Sequence, residues 1–166
     1  EALSVPDNVH ADNHRLIQYQ LREYYAQIAA LDDLNSRILN ELERRGELDN
    51  TLVIYTSDHG DWVGSCRQPD QNCRGKGNPQ EESIRVPFLA MGPGVTQGRS
   101  LDMPLSTVDL LPTFCGLVGF DVGPGFPGED LSPVLRGERE VTERTVALEM
   151  RGWRASFNGK TVELES

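Results

Sequence analysis

Three polar side chains near the middle of the chain carry groups that could do chemistry. Asp58 and His59 follow the run Thr51-Leu52-Val53-Ile54-Tyr55-Thr56-Ser57 and precede Gly60-Asp61. A short, nearly continuous apolar and β-branched run fits a strand buried on both faces. In open α/β sheets, ligands bind beyond the carboxyl ends of the strands, which is where Asp58 and His59 lie. Adjacent strand side chains point to opposite faces, but here the strand is ending and Gly60 lets the backbone turn. A carboxylate and an imidazole can then converge on one cation, and mixed oxygen and nitrogen donors suit a divalent metal. The alternative use of the same residues is a polar turn that closes the strand. Lys76 stands between Gly75 and Gly77. Its ammonium is a compact point charge that could approach a tetrahedral oxyanion closely. The alternative is an exposed loop lysine. Arg85, in Glu81-Glu82-Ser83-Ile84-Arg85-Val86-Pro87, could also meet an anion. The preferred reading pairs it with nearby carboxylates, so that it holds a loop against the sheet.

These residues must be positioned by the elements around them. Residues 1–12 are polar and read as an irregular lead-in. From about Asn13 to Arg45, Leu16, Ile17, Leu21, Tyr24, Ile28, Leu31, Leu34, Ile38 and Leu42 recur every three or four positions. That period predicts an amphipathic helix, with Asp12 or Asn13 as N-cap and Gly46 as its stop. Its length allows a break near Asp32-Asp33. The strand at 51–57 comes next, then a long polar loop over 58–80, of the kind that is usually functional or disordered. Val86 to Met91 reads as a second buried strand, closed by Gly92-Pro93-Gly94. Thr107 to Val118 reads as a helix, and Pro112 moves its start toward Leu110, since proline is tolerated only in a first turn. Residues 121–133 are a Gly/Pro-rich loop, and Thr145 to Met150 is a third strand. Trp153–Phe157 and Thr161–Leu164 flank Asn158-Gly159, a strong hairpin signal. The fold class is α/β: part of a mostly parallel sheet flanked by helices, with a C-terminal β-hairpin.

Composition removes several functions. The chain has 166 residues, with 16 Lys+Arg against 26 Asp+Glu, a net charge of −10. Nucleic-acid binding relies on an excess of cations, so no nucleic-acid partner is expected. No apolar run approaches the roughly 18 residues of a membrane span. The three cysteines are too few for a disulfide framework. Cys66 and Cys73 flank a polar segment and could pair in an oxidising compartment or stay as free thiols, and Cys115 is expected in the core. The chain opens on Glu1 rather than Met, which fits a processed terminus or a piece of a longer protein.

Taken in order, the segments 49–60, Gly75-Lys76-Gly77 and 81–87 closely resemble the sulfatase family of the alkaline phosphatase-like superfamily. The resemblance extends upstream to Tyr24-Tyr25-Ala26 and Ala30-Leu31-Asp32. Downstream it takes in Thr107-Val108-Asp109-Leu110-Leu111-Pro112-Thr113 and Leu131-Ser132-Pro133-Val134-Leu135-Arg136-Gly137. It implies that Asp58 and His59 are the second pair of metal ligands, usually for calcium. It implies that Lys76 binds the sulfate and the leaving oxygen. The metal would polarise the sulfuryl group, and Lys76 would offset charge on the leaving alcohol. The substrate implied is a small-molecule or glycan sulfate ester, and the location implied is periplasmic or extracellular.

The departures are as informative. Sulfatases use a formylglycine made within Cys-x-Pro-Ser-Arg, and none of the segments after Cys66, Cys73 or Cys115 fits that pattern. The letters of Ser132-Pro133-Val134-Leu135-Arg136 are similar but wrongly spaced. Asp32-Asp33 is not the family's first acidic pair, because it sits in the helical pattern. The family's upstream Lys and His substrate ligands are missing too. The expectation is therefore a C-terminal portion of a sulfatase whose formylglycine lies upstream: 1–12 lead-in, 13–150 sulfatase-like α/β domain, 151–166 terminal hairpin. Alone, the chain is expected to be inactive, and to be oligomeric or complemented through exposed sheet edges. Two other readings stand beside this one. One is a phosphodiesterase or phosphonate monoester hydrolase of the same superfamily, using Mn2+ or Mg2+. The other is a non-catalytic truncated module.

Overall fold

The long apolar period at the start of the chain becomes a single helix, α1, His14–Arg44. It runs through Asp32-Asp33 without a break, and both aspartates are exposed there. Asp12 and Asn13 do not cap it with their side chains as expected. Instead a 3-10 turn, Ala11–Asn13, leads in, and the His10 side chain accepts from Asp12 N–H at its start. The stop is the expected one: Gly46 takes φ +69°, and Glu47 N–H donates to the Leu42 carbonyl at 2.9 Å. The computed structural model describes residues 3–5, 7–65, 74–150 and 152–165. The possible Cys66–Cys73 pair lies outside the described residues.

These residues form two compact units, one of 1–49 with 56–88 and one of 50–55 with 89–166. In the first, Val9, Ile17 and Leu21 form a small core, with Leu3, Val5 and Val63 packed on it. Only the opening turns of α1 are used for burial. Ile28, Leu31, Leu34 and Ile38 continue the same stripe but remain 42–60% exposed. One short helix that the sequence did not announce, α2, Glu81–Ile84, completes this unit.

The second unit holds most of the strands. The two apolar runs give β1, Val53–Thr56, and β2, Phe88–Met91, each shorter than its apolar stretch and paired as a two-stranded sheet. Neither is buried on both faces: Tyr55 and Leu89 are exposed. β3, Val146–Met150, β4, Trp153–Phe157, and β5, Val162–Leu164, form an antiparallel three-stranded sheet. The mostly parallel sheet expected from the sequence is thus not seen among the described residues. The α/β mixture is present, but its strands are short and divided between two small sheets. The terminal hairpin is real and pairs onward with β3, Ala155 facing both Leu148 and Leu164. Its connection is longer than a two-residue turn, because the Asn158 side chain accepts from the N–H groups of Lys160 and Thr161, each at 2.9 Å.

Helix α3, Leu110–Val118, begins at Leu110 as Pro112 requires, after a 3-10 turn over Thr107–Asp109. Cys115 on this helix is half-buried rather than in the core. A further short helix, α4, Ser132–Leu135, starts inside the segment expected to be loop, with Pro133 in its first turn. Leu131, Val134, Val146 and Ala155 are the buried apolar residues here. Thr113 ties α3 to the 129–131 segment, its hydroxyl accepting from Leu131 N–H at 3.0 Å.

Asp109 is the polar centre of this unit and is 1% exposed. Its carboxylate accepts from Ser106 N–H at 2.8 Å, Glu129 N–H at 2.9 Å and the Arg144 guanidinium at 2.7 and 3.2 Å. Burial alone would raise the carboxyl's pKa. The hydrogen bonds from Arg144, Glu129 and Ser106, with the guanidinium charge, outweigh that and hold it below the ordinary aspartate value. Replacing Asp109 by Asn leaves Arg144 with only the more distant Glu129 carboxylate, at 3.6 Å, and we expect a loss of about 3 kcal/mol, read from urea unfolding midpoints. The pKa is depressed on folding, so this advantage is full above the ordinary aspartate value. It disappears as pH falls through the lower folded value.

Candidate metal and anion site

Chain geometry brings the three sequence-selected residues together. After β1 the backbone runs out through Ser57 and turns at Gly60. Gly60 N–H donates to the Ser83 carbonyl at 2.8 Å. A Cβ at Gly60 would fall on the Glu82 carbonyl oxygen, so only glycine lets this turn lie against α2. Ser57 steadies the preceding residues, its hydroxyl donating to the His59 carbonyl at 2.9 Å. Asp58 and His59 therefore do not diverge. The Asp58 carboxylate accepts from His59 N–H at 3.0 Å, and its other oxygen lies 3.2 Å from His59 Nε2.

The hydrogen bonds assign the imidazole proton. His59 Nδ1 is 2.8 Å from the Gly60 carbonyl, which can only accept, so Nδ1 donates and Nε2 presents its lone pair. Lys76 Nζ donates to that Nε2. The Nε2 lone pair of His59 and the carboxylate of Asp58 thus lie side by side as acceptors, with the Lys76 ammonium on Nε2. Burial disfavours the charged form of Asp58. The backbone N–H groups and the Lys76 ammonium pull the other way, and the carboxyl lies below its ordinary value. An aspartate at or below its ordinary value is ionised at neutral pH, as a metal ligand must be.

An anionic oxygen beside a neutral imidazole nitrogen is the donor chemistry of a mixed-ligand divalent site, and these two residues fit one. Among the described residues, no cluster of three or more His, Cys, Asp or Glu is placed to hold a metal. Arg85 is drawn elsewhere, pairing with Glu81 at 3.0 Å as the sequence reading preferred.

The supporting residues were not foreseen. Asp61 gathers Val63 N–H at 3.1 Å, Gly75 N–H at 3.3 Å and the Arg74 guanidinium at 3.0–3.1 Å. Trp62 N–H donates to the Gly75 carbonyl at 2.9 Å, and its indole N–H to the Ser83 hydroxyl at 2.5 Å. The signal was adjacency: Asp61 follows the Asp-His-Gly, and Arg74 precedes Gly-Lys-Gly. Their pairing across 13 positions has no period that spacing could reveal.

A family model described as Sulfatase matches residues 4–120. The ulvan-active sulfatase of Formosa agariphila is 32% identical over 146 residues, which is 87% of this chain and 28% of that protein. A protein solved in complex with its substrate D-glucosamine-2-N,6-O-disulfate superposes with a TM-score of 0.74 at 28% identity. That match covers 88% of this chain and 31% of the other. The phosphonate monoester hydrolase of Silicibacter pomeroyi shares the fold, with a TM-score of 0.72 at 20% identity over 91% of this chain and 35% of its own. The chain spans less than a third of the length of the curated relatives it matches.

The close approach at Gly60 yields a direct test. Gly60→Ala should lower unfolding stability by more than about 3 kcal/mol, since backbone has to move. Gly77→Ala is the control. A Cβ there would meet only Trp62 Cη2, at 4.0 Å, and it should change stability by no more than about 0.5 kcal/mol. Urea midpoints for the two variants give the comparison.

Proposed function

The chain belongs to the sulfatase family, and from that premise we propose that it forms part of a sulfate ester hydrolase in which Asp58 and His59 hold a divalent metal and Lys76 meets the sulfate. The observation that carries this reading is the convergence of the Asp58 carboxylate, the His59 Nε2 lone pair and the Lys76 ammonium at one point. Calcium is the metal proposed. Bound there, it would supply Lewis-acid polarisation of the sulfuryl oxygens.

The remaining roles belong to the chain's own atoms. Asp58 offers an ionised carboxylate oxygen. His59 would offer the Nε2 lone pair to the metal instead of to Lys76, leaving the ammonium to the sulfate, while Nδ1 stays on the Gly60 carbonyl. Lys76 carries the positive charge that would neutralise a departing alkoxide, which is the largest charge to develop as a sulfate ester bond breaks. Gly75 and Gly77 put no side chain next to Lys76 in the chain.

A glycan sulfate is the substrate class proposed. The support is the sugar sulfate substrate of the structural neighbour, which this chain resembles at 28% identity. A formylglycine nucleophile would come from outside these 166 residues, because no Cys-x-Pro-Ser-Arg occurs in them. The 166-residue chain by itself is therefore proposed to turn over no sulfate ester. No helix among the described residues is long and apolar enough to cross a membrane.

The test begins with the coding DNA upstream of Glu1, which should continue in frame into a Cys-x-Pro-Ser-Arg segment. The complete protein should then hydrolyse sugar and aryl sulfates, and lose activity to a calcium chelator with recovery on calcium addition. Lys76→Ala should lower kcat/KM by about 10²–10⁴-fold. Faster hydrolysis of aryl phosphate diesters than of sulfates would reassign the chemistry to phosphoester cleavage. Turnover by the 166-residue chain alone would refute the external nucleophile.

A further inference from the structure

His59 and Lys76 meet although 17 positions separate them. A lysine has a long flexible stem, so its ammonium reaches one place reliably only if the backbone beneath it is held. Asp61 supplies that hold from one carboxylate. It lies two residues after His59, and it binds Gly75 N–H and the Arg74 side chain immediately before Lys76. The Trp62 N–H to Gly75 carbonyl bond runs alongside and fixes the two strands of chain in register. Arg74 is fastened in turn to α1, its guanidinium lying 5.8 Å from the centre of the Tyr24 ring. With its fork committed to Asp61 and its face to Tyr24, Arg74 is a fastening rather than an anion ligand.

We propose that Asp61, clasped to Arg74, is a positioning residue that sets where Lys76 Nζ sits beside His59 and thereby how well Lys76 meets a leaving oxygen. The second half of this statement rests on the sulfatase reading of Lys76. The first half does not. A charge placed for the leaving oxygen matters most when the leaving group is poor and little when it is good. Misplacing Lys76 should therefore act selectively, whereas a simple loss of folded protein would reduce every rate alike.

The experiment compares wild type, Asp61→Asn, Asp61→Glu, Arg74→Lys and Arg74→Met in the complete protein, with two readouts. The first is kcat and KM on an aryl sulfate, with a good leaving group, and on a sugar sulfate, with a poor one. Asp61→Asn should lose at least about tenfold more kcat on the sugar sulfate than on the aryl sulfate, with little change in KM, and Asp61→Glu should recover part of the difference. The second readout, with chelator present, is the 15N shift of His59 Nε2. In Asp61→Asn and Arg74→Met it should move downfield toward a free imidazole nitrogen, and Arg74→Lys should move it less. Equal losses on both substrates, or an unmoved Nε2 signal in folded Asp61→Asn and Arg74→Met, overturn the proposal. Failure of both Asp61→Asn and Arg74→Lys to fold would make the clasp a folding element only, and overturns it too. If the wild type hydrolyses no sulfate ester, the functional reading falls, and the Nε2 signal alone decides whether Asp61 positions Lys76.

Discussion

The site depends on the way one carboxylate, Asp61, collects donors from two distant stretches of chain. Two backbone N–H groups and a guanidinium point at it, and they belong to Val63, Gly75 and Arg74, which stand beside the candidate site residues. Such charge-assisted bonds are stronger and shorter than neutral ones, and a partly buried carboxylate with several donors is held in one orientation. Gly60 adds a steric condition, since the turn that aims Asp58 and His59 lies directly on the backbone of α2. The steric fit at Gly60 and the electrostatic clasp at Asp61 act on adjacent residues, which leaves this turn little freedom.

The second unit solves a different problem with the same device. Asp109 draws Ser106, Glu129 and Arg144 to one point and joins the start of α3 to the segment before α4 and to the approach to β3. In both units an aspartate replaces what a larger apolar core would do. The buried apolar residues are few, and the joints between short elements are made by satisfied charges. A joint of this kind is directional. It specifies which segments meet and at what distance, and breaking one partner leaves the other stranded.

The sequence revealed the parts of this chain that repeat or punctuate. The three-and-four spacing of α1, its stop at Gly46, the beginning of α3 at Leu110 and the hairpin around Asn158-Gly159 follow from local chemistry, and the structure contains each of them. Asp58, His59 and Lys76 stood out because short motifs occur in a recognisable order, and the structure brings the three side chains together. The extent of burial was not legible. The stripe from Ile28 to Ile38 looks like a core face, yet periodicity states only that a face is apolar and not what covers it. The sheet was misjudged for a related reason. Apolar runs at 51–57 and 86–91 announce buried strands, but whether neighbours lie parallel beside them is a matter of chain outside the runs. Asp61 and Arg74 escaped because a contact between two loop residues leaves no periodic trace.

The clasp has a consequence for variation in this region. Asp61 fixes Val63 on one side and Arg74 and Gly75 on the other, so the separation of His59 from Lys76 is set without reference to the number of residues in between. Closing a longer loop costs only slightly more entropy than closing a shorter one, about 0.6 kcal/mol for each doubling of length. The stretch spanned by the clasp is therefore a place where residues can be inserted, deleted or exchanged while the charges at its base keep their spacing. A scaffold built this way separates two kinds of change: the clasped residues keep their spacing, and the number of residues between them is free to vary.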